Sequence, residues 1–340
     1  MKAADWVVIG GGVVGLACAW QFARAGQSVI VLEAGSIGEG TSTKAAGMLL
    51  PEVEAIRRRE DPSLLKESFD LYPAFLTALE ASSGRRVPFH RRGCVAVAPA
   101  DAFPEVWTGV TPDPPEVWRR HAPSLAEELA GAYFAEAAEV DAEALVFALF
   151  AACRRERVEV REGALVTQIR HAGDRWLKVR TPGGWVEGER FLLATGAWSD
   201  QLAAELGLEL GVYPVKGQMV ELFDPEAELT SIVFGPDVYL CPKGDGRLLV
   251  GATMEEAGFD RSVRAGAVAR LLEAACRLYP RARDLLFRRA WAGLRPGRAG
   301  LPVIDAVAQN AYAAVGHFRN GILLTPLTVE RLMRMAGLAA

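Results

Sequence analysis

Apolar residues follow two different periods near the start of the chain. Residues 5–10 (DWVVIG) form an unbroken apolar run, typical of a strand buried on both faces, and residues 28–35 (SVIVLEAG) repeat that pattern. Between them, residues 11–26 (GGVVGLACAWQFARAG) follow a helical period and end at Gly26, where a C-terminal helix glycine is expected. The pattern therefore predicts a βαβ unit.

The rest of the chain alternates between helical and strand patterns. A Pro-Gly-Gly turn predicts a hairpin near 182–184, and alternating apolar and polar residues over 212–254 indicate an antiparallel sheet with one covered face. The other predicted elements are helices over 60–82, 141–158 and 264–280, strands within 158–172 and 174–196, a buried strand over 311–316, and a last helix.

This order of elements predicts an α/β fold. A Rossmann-like, doubly wound domain would be assembled from discontinuous segments and interrupted by an inserted antiparallel-sheet domain of α+β type. We assign 1–82, 141–211 and 286–340 to the first domain, which would bind the cofactor. We assign 83–140 and 212–285 to the second domain, which would bind the substrate.

Three glycines between the first strand and the first helix form a G-x-G-x-x-G motif. Gly10 allows the tight turn, Gly12 lets a pyrophosphate approach the backbone, and Gly15 lets the helix pack closely on the sheet. Glu33 ends the second strand, where its carboxylate can accept hydrogen bonds from ribose hydroxyls. The motif predicts a dinucleotide site, and Glu33 disfavours NADP because a 2′-phosphate would meet a carboxylate.

Two further stretches favour FAD over NAD. Residues 41–49 (TSTKAAGML) place hydroxyls, which can bond pyrophosphate or ribityl oxygens, before small residues on which a flat ring can pack. Residues 191–200 (FLLATGAWSD) indicate a buried strand that ends at Thr195 and Gly196, where the chain can pass close beneath a cofactor. Taken alone, each stretch is equally compatible with a simple turn.

Composition narrows the classes of partner. The 340 residues are 51% hydrophobic with a formal net charge of −4, which supplies no basic field for nucleic acid or an anionic membrane. Five scattered cysteines without a Cys-x-x-Cys pair predict neither a disulfide framework nor structural zinc, and we expect a reducing cytoplasm. The histidines form no metal-ligand pair, so no metal is predicted. The apolar stretch 6–20 contains three successive glycines and predicts neither a signal peptide nor a membrane span.

With these pieces in order, the chain resembles the D-amino acid oxidase superfamily of FAD-dependent oxidoreductases, and most closely its ThiO-type glycine oxidases, which are associated with thiamine biosynthesis. The resemblance covers most of the chain. It rests on VVIGGGVVG, TSTKAAGML, ATGAWS, YPVKGQMVEL, VYLCPKGDGRLLVGATM, WAGLRP and GHFRNGILLTP, in the family's order. After LLTP the family would continue with small residues, whereas this chain reads LTVERLMRMAGLAA.

The resemblance implies which residues bind FAD and substrate. Arg295 of WAGLRP would bind the substrate carboxylate and Tyr239 would add a hydroxyl. Met254 and Met48 would bound the substrate pocket, and Arg319 would take the family's second arginine position. Val166 would present its backbone to the adenine. The residues expected at FAD are Gly10, Gly12, Val13, Val14, Gly15, Glu33, Ala34, Thr41, Ser42, Ala46, Gly47, Met48, Val166, Thr195, Gly196, His317, Phe318, Arg319, Asn320, Gly321, Ile322 and Leu323.

The chemistry of an amino acid oxidase explains why an arginine is expected. Hydride transfer from Cα to flavin N5 requires the C–H bond to point at the ring, and a planar guanidinium can fix a carboxylate through two parallel charge-assisted bonds. Arg295 suits that role. No catalytic base is required if the amine arrives unprotonated, because the nitrogen lone pair drives hydride departure.

The segment GHFRNGILLTP, residues 316–326, is then expected to turn into the last helix beside the flavin. A helix N-terminus carries a partial positive charge, which would stabilise the negative charge of the reduced ring. Arg319 would add positive charge near the substrate and Asn320 would cap the helix. His317 is interpreted as a structural histidine with a satisfied hydrogen bond.

The sequence therefore predicts an FAD-dependent glycine oxidase that uses molecular oxygen, with FAD held non-covalently because no cysteine follows Cys276. The products would be an imine or glyoxylate, ammonia and hydrogen peroxide, with a role in thiazole synthesis. Sarcosine or a small D-amino acid as substrate, another electron acceptor, and a homo-oligomer stay open. A flavin-binding subunit without turnover and an NAD-linked dehydrogenase are the alternatives from other classes.

Overall fold

This computed structural model describes residues 3–338 of the chain. These residues contain three β-sheets and nine α-helices. The helices are α1 Val13–Arg24, α2 Pro51–Arg58, α3 Ser63–Ser83, α4 Phe103–Val106, α5 Pro115–Trp118, α6 Ala142–Arg155, α7 Ser199–Ala203, α8 Ala265–Leu278 and α9 Thr325–Met335. The strands are β1 Ala4–Ile9, β2 Val29–Leu32, β3 Met48–Leu49, β4 Phe89–His90, β5 Cys94–Pro99, β6 Leu129–Phe134, β7 Ala138–Val140, β8 Glu159–Arg161, β9 Gln168–Ala172, β10 Arg175–Thr181, β11 Gly184–Leu193, β12 Tyr213–Phe223, β13 Ile232–Phe234, β14 Tyr239–Pro242, β15 Arg247–Gly251, β16 Leu286–Gly297, β17 Val303–Ala308 and β18 Ala311–Val315.

The predicted βαβ unit lies at the centre of the first sheet. The strand order is β17-β18-β11-β1-β2-β8, and the pairs from β18 to β8 are parallel, whereas β17 is antiparallel to β18. The hairpin β9–β10 extends from β11. Gly26 has φ +79° and follows Ala25, the C-cap residue of α1. This is the left-handed glycine that was predicted at the C-terminal end of the helix.

Apolar side chains cover both faces of this sheet. On one face, α1, α3, α6 and α9 bury Trp6 and Val8 in a core that includes Leu16, Trp20 and Leu327. On the other face, Val7, Ile9 and Leu193 pack with the hairpin β9–β10 and neighbouring loops. Burial on both faces accounts for the unbroken apolar runs of β1 and β2, which an alternating pattern would not allow.

The second sheet has the order β16-β12-β15-β14-β13-β5-β6 and is antiparallel except for the parallel pair β5–β13. Helix α8 covers one face with Leu271 and Leu278. The opposite face carries Met219 and Tyr239 and packs on α2 and the loop before it. This sheet therefore contacts the residues that follow the dinucleotide motif.

One strand lies in a different sheet from the one that the expected division into two domains implies. Strand β16 was expected to begin the last segment of the cofactor domain, yet it pairs with β12 over its whole length in the second sheet. Its alternating pattern is obscured by arginine and glycine, which explains why the sequence did not reveal it. The residue ranges of the two domains stay a prediction.

Candidate functional site

A cavity of about 700 Å³ lies where the carboxyl ends of β1, β11 and β18 meet. From β1 the chain continues to one side of the sheet through β2, and β11 and β18 lie on the other side. Such a reversal of strand order opens a crevice that binds ligands in doubly wound folds. The volume falls in the range of about 300–1,000 Å³ that is typical of small-molecule and cofactor sites.

Two glycines of the turn at this crevice, Gly10 and Gly15, leave no room for a side chain. Gly10 has φ +110°, and a Cβ there would lie 2.4 Å from the carbonyl oxygen of Ala194. A Cβ on Gly15 would lie 2.0 Å from the carbonyl oxygen of Gly10, so α1 approaches β1 as the motif requires. The N-terminal end of α1 consequently faces the cavity at Gly12 and Val13.

Glu33 is held at the edge of the same turn. Its Oε2 accepts a hydrogen bond from the Gly11 amide at 2.7 Å, and its Oε1 accepts one from the Gly35 amide at 2.9 Å. A carboxylate has about four acceptor positions, so two stay available for ribose hydroxyls. Ala164 and Val166 line the neighbouring part of the cavity, where the adenine was expected.

The hydroxyls of residues 41 and 42 also have partners within the protein. Ser42 Oγ accepts a hydrogen bond from the Val13 amide at 3.0 Å, and Thr41 donates to the carbonyl of Leu294 at 2.6 Å. Thr41 therefore ties this loop to β16 of the second sheet. Both residues line the cavity, as the hydroxyl-rich stretch predicted.

These features fit an FAD molecule. The crevice is lined by Glu33, by the N-terminal end of α1 and by residues of the second sheet, and many of its lining residues are glycines. An elongated dinucleotide with a flat ring at one end needs this combination of an acceptor for ribose, free backbone near phosphate and little side-chain bulk near the ring. The residues present are therefore compatible with FAD.

Arg295 enters the cavity from β16. A Cβ at Gly217 on the paired strand β12 would lie 2.3 Å from Nη1 of Arg295, so this glycine leaves room for the guanidinium. Nη1 donates to the carbonyl of Thr253 at 3.0 Å. Among residues 3–338, no carboxylate lies within 4.0 Å of this guanidinium. Burial lowers the arginine pKa, with the neighbouring Arg319 acting in the same direction.

Tyr239 lies beside Arg295 with 7% of its surface exposed. Its hydroxyl donates to the sulfur of Met219 at 3.5 Å. Burial raises the tyrosine pKa to about 12, although Arg295 and Arg319 act in the opposite direction. The phenol is therefore neutral at physiological pH and can donate a hydrogen bond.

Arg319 forms an ion pair with Glu54. Its Nη2 donates to Oε1 of Glu54 at 2.8 Å, and its Nε lies 3.1 Å from Oε2. Glu54 belongs to α2 and is 5% exposed. Burial alone would lower the arginine pKa, but the charge and hydrogen bonds of Glu54 outweigh it and raise the pKa above its usual value. Glu54 therefore neutralises the positive charge that we expected at Arg319 from the sequence.

Most of the predicted site residues meet at this one cavity. The exceptions are Gly15, which packs on Gly10, and Leu323 and Met254, which are not part of the lining. Met254 is 57% exposed, with its sulfur 3.8 Å from Nη1 of Arg319. The predicted residues in the lining are Gly10, Gly12, Val13, Val14, Glu33, Ala34, Thr41, Ser42, Ala46, Gly47, Met48, Val166, Thr195, Gly196, Tyr239, Arg295, His317, Phe318, Arg319, Asn320, Gly321 and Ile322.

The C-terminal turn differs in detail from the expectation. A 3₁₀ turn covers Phe318–Asn320, and α9 begins later, at Thr325 with Leu324 as its N-cap residue. Asn320 therefore does not cap α9, and that prediction is wrong. His317 is buried, and its Nε2 lies 3.0 Å from the hydroxyl of Thr328 in α9. This contact agrees with a structural histidine.

Several lining residues were not found from the sequence, above all Glu54, Lys44 and Trp198. A signal for Glu54 was present, because Pro51 and two glutamates followed by two arginines are typical of a helix that begins at Pro51. A glutamate in so charged a segment is nevertheless expected to be exposed. Its burial depends on Arg319, 265 residues further along the chain.

Comparison with known proteins agrees with this geometry. A family model described as "DAO: FAD dependent oxidoreductase" matches residues 5–335. The chain therefore belongs to this family of FAD-dependent oxidoreductases. It is 34% identical to the glycine oxidase of Geobacillus kaustophilus (strain HTA426), and the match covers 95% of this chain and 90% of that protein.

Two further similarities extend the comparison. The bifunctional protein ThiO/ThiG of Trichormus variabilis is 34% identical over 342 residues, and the chain spans about half of that protein, 51% of its length. The crystal structure of glycine oxidase from Geobacillus kaustophilus superposes with a TM-score of 0.92 at 31% identity, and the match covers 100% of this chain and 96% of that one.

The predicted fold class, FAD as cofactor, and an enzyme of this family are confirmed by these matches. Within the described residues, no helix is long and apolar enough to cross a membrane. Residues 3–338 contain no group of three or more histidine, cysteine, aspartate or glutamate side chains arranged to hold a metal ion.

Proposed function

We propose that this chain is an FAD-dependent oxidase that deaminates glycine, and that it releases glyoxylate, ammonia and hydrogen peroxide. The observation that carries the proposal is the Arg295 guanidinium, which is partly buried in the cavity and has no carboxylate within 4.0 Å among residues 3–338. A guanidinium that is withdrawn from water without a counter-ion is stabilised when an anion binds to it, and the carboxylate of an amino acid is such an anion. Similarity to glycine oxidases supports a small amino acid as the substrate.

Arg295 would bind the substrate carboxylate through two parallel N–H···O bonds, which fix its orientation as well as its position. Gly217 leaves the guanidinium room to lie flat against β12. The bond from Arg295 to the Thr253 carbonyl holds the side chain before substrate arrives. Substrate binding therefore requires little rearrangement, which keeps Cα in one place.

The raised pKa of Tyr239 keeps the phenol protonated, and its single O–H would turn from the sulfur of Met219 to the same carboxylate. We assign no general base: His317 is neutral, with burial lowering its pKa to about 4, and its Nε2 is engaged with Thr328. The substrate amine would enter unprotonated. When bound, FAD supplies the two-electron acceptor at N5, and its reoxidation by molecular oxygen yields hydrogen peroxide.

The proposal extends to cytoplasmic location, to non-covalent FAD and to a role in thiazole synthesis for thiamine. The last is supported by the similarity to bifunctional ThiO/ThiG proteins, about half of whose length this chain matches. Acid precipitation tests the mode of FAD binding directly. Yellow colour in the supernatant is expected, and yellow colour retained in the pellet would contradict non-covalent binding.

A substrate panel with peroxide detection tests the proposed reaction. Purified protein is supplied with glycine, sarcosine, D-alanine and L-alanine under air, and peroxide and ammonia are measured. Glycine is expected to give equal amounts of both products, and L-alanine is expected to give neither. If sarcosine or D-alanine has the highest kcat/KM, the substrate assignment changes within the same class, and if no amine yields peroxide the proposed function fails.

A further inference from the structure

Arg295 and Arg319 line the cavity beside Tyr239, but only Arg295 is available to an anion. Arg295 has no carboxylate within 4.0 Å among the described residues, whereas Arg319 is bound by Glu54. Arg295, Arg319 and Glu54 together carry one net positive charge. The two arginines lie near enough for each charge to act on the other.

The geometry of the pair determines what Arg319 can offer. Glu54 occupies the edge formed by Nε and Nη2, with its oxygens 2.8 and 3.1 Å from these atoms. Glu54 takes two of the five N–H donors of Arg319, and Nη1 lies 3.8 Å from the sulfur of Met254. A second carboxylate of a ligand would therefore meet a guanidinium whose charge Glu54 already balances, and it would face the buried negative charge of Glu54.

Glu54 is held firmly in this position. It lies in α2, where Val53 and Ala55 are also buried, and only 5% of its surface is exposed. A carboxylate without its guanidinium would be strongly disfavoured there, which means that the pair is formed whether or not ligand is present.

We propose that Glu54 is a specificity-determining residue, which neutralises Arg319 and so restricts the cavity to substrates with one carboxylate. This inference rests on the proposed function, because it takes Arg295 as the binding site of the substrate carboxylate. Replacement of Glu54 by glutamine would release Arg319 and add a net positive charge. Ligands with a second carboxylate should then gain affinity while monocarboxylates gain little.

Binding of two anions that are not oxidised tests this inference without turnover. Butyrate and succinate have the same chain length and differ in one terminal group, methyl or carboxylate. Their Kd values are measured on the FAD-loaded protein by perturbation of the flavin absorbance. We expect the wild-type protein to bind butyrate at least tenfold more tightly than succinate. Equal affinities in the wild-type protein would overturn the proposal.

Substitutions at Glu54 and Arg319 test which residues cause the preference for butyrate over succinate. Glu54→Gln should shift the butyrate-to-succinate ratio at least tenfold towards succinate, and Glu54→Gln combined with Arg319→Met should return it to the wild-type value. Glu54→Asp, which keeps the charge, should retain the wild-type preference and serves where Glu54→Gln does not fold. Glu52→Gln is the matched control, because Glu52 lies on the same helix but is partly exposed and outside the cavity lining.

Two outcomes would refute the role of Glu54. One is a ratio in Glu54→Gln within twofold of the wild-type value, and the other is a gain for succinate that persists when Arg319 is also replaced. Measurements of turnover distinguish a failure of this inference from a failure of the proposed function. A wild-type protein that discriminates between the two anions but oxidises neither glycine nor sarcosine would contradict the proposed reaction, while Glu54 would still determine the choice of anion. In an active enzyme, Glu54→Gln should also raise the kcat/KM for iminodiacetate relative to glycine at least tenfold.

Discussion

At the scale of single residues, Arg295 has the largest expected effect on catalysis. Arg295→Met would leave the substrate carboxylate buried without its partner, at a cost of about 3–5 kcal/mol. That energy corresponds to a loss of roughly two to four decades in kcat/KM for glycine, measured by peroxide release. Arg288→Met is the control, since Arg288 is an exposed arginine on the same strand. A loss below about fivefold in Arg295→Met would remove Arg295 from substrate binding.

Individual residues differ in how readily the sequence reveals them. Gly10 and Gly15 were predictable because a short motif states the local geometry that requires them, and the contacts at both glycines agree with it. Arg295 was suggested by the resemblance, because the neighbours of an arginine in sequence say little about which groups it faces. The pairing of Arg319 with Glu54 was not predictable, since it joins residues 265 positions apart.

At the scale of elements, the loop before β3 is tied to the second sheet by a buried ion pair. Lys243 Nζ lies 2.6 Å from Oε2 of Glu139 and 2.7 Å from the carbonyl of Ala46, which lines the cavity. Both charged side chains are almost fully buried, at 4% and 1% exposure. This pair therefore holds the loop of the cofactor site in register with β14 and β7.

Lys243→Met is expected to destabilise the protein, because Glu139 would stay buried with a reduced set of partners. The expected loss is about 3 kcal/mol in the free energy of unfolding, measured by urea denaturation. Lys178→Met provides the comparison: Lys178 lies 3.8 Å from Glu187, which is 59% exposed, and less than about 1 kcal/mol should be lost. Equal losses in the two variants would show that burial of the Lys243 pair has no special effect.

Elements with a strong period were predicted well. The apolar runs of β1 and β2 and the helical patterns of α1, α6 and α8 agree with the structure to within a few residues. Helix α2 and strand β16 were missed because charged residues and glycines obscure their periods. The parallel pair β5–β13 could not be foreseen, since β13 is only three residues long and pairs with a strand far away in the chain.

At the scale of the whole molecule, His317 makes unfolding depend on pH. Burial lowers its pKa from 6.5 to about 4 in the folded protein, so the unfolded chain takes up a proton first as the pH falls. The stabilisation is complete above pH 6.5 and is lost progressively between 6.5 and about 4. Its full size is about 3 kcal/mol by the relation of about 1.4 kcal/mol per pKa unit.

His317→Gln should remove this part of the pH dependence. The free energy of unfolding is compared at pH 7.5 and pH 4.5, roughly the two ends of this titration, and the variant should lose about 2–3 kcal/mol less than the wild-type protein. His171→Gln, at an exposed histidine of β9, should lose as much as the wild-type protein. The same pH dependence in His317→Gln and in the wild-type protein would contradict a buried neutral histidine.

The two sheets explain why the cavity could be predicted in outline but not in detail. The dinucleotide half is built from neighbouring segments, β1, α1 and β2, whereas the half that we propose binds substrate joins β12, β16, α2 and the C-terminal turn. Local sequence patterns predict the first arrangement, whereas the second depends on packing between segments that are distant in the chain. The assignment of the second half to substrate binding therefore rests on the resemblance and stays a proposal.

The central claim is that FAD and an amino acid meet in this cavity, with the carboxylate on Arg295. The most direct test is the visible absorbance spectrum of the purified protein, recorded without oxygen before and after addition of glycine. The protein should be yellow, glycine should bleach the flavin, and air should restore the colour with release of peroxide. A colourless protein that binds no added FAD, or a flavin that glycine leaves fully oxidised, would contradict the account.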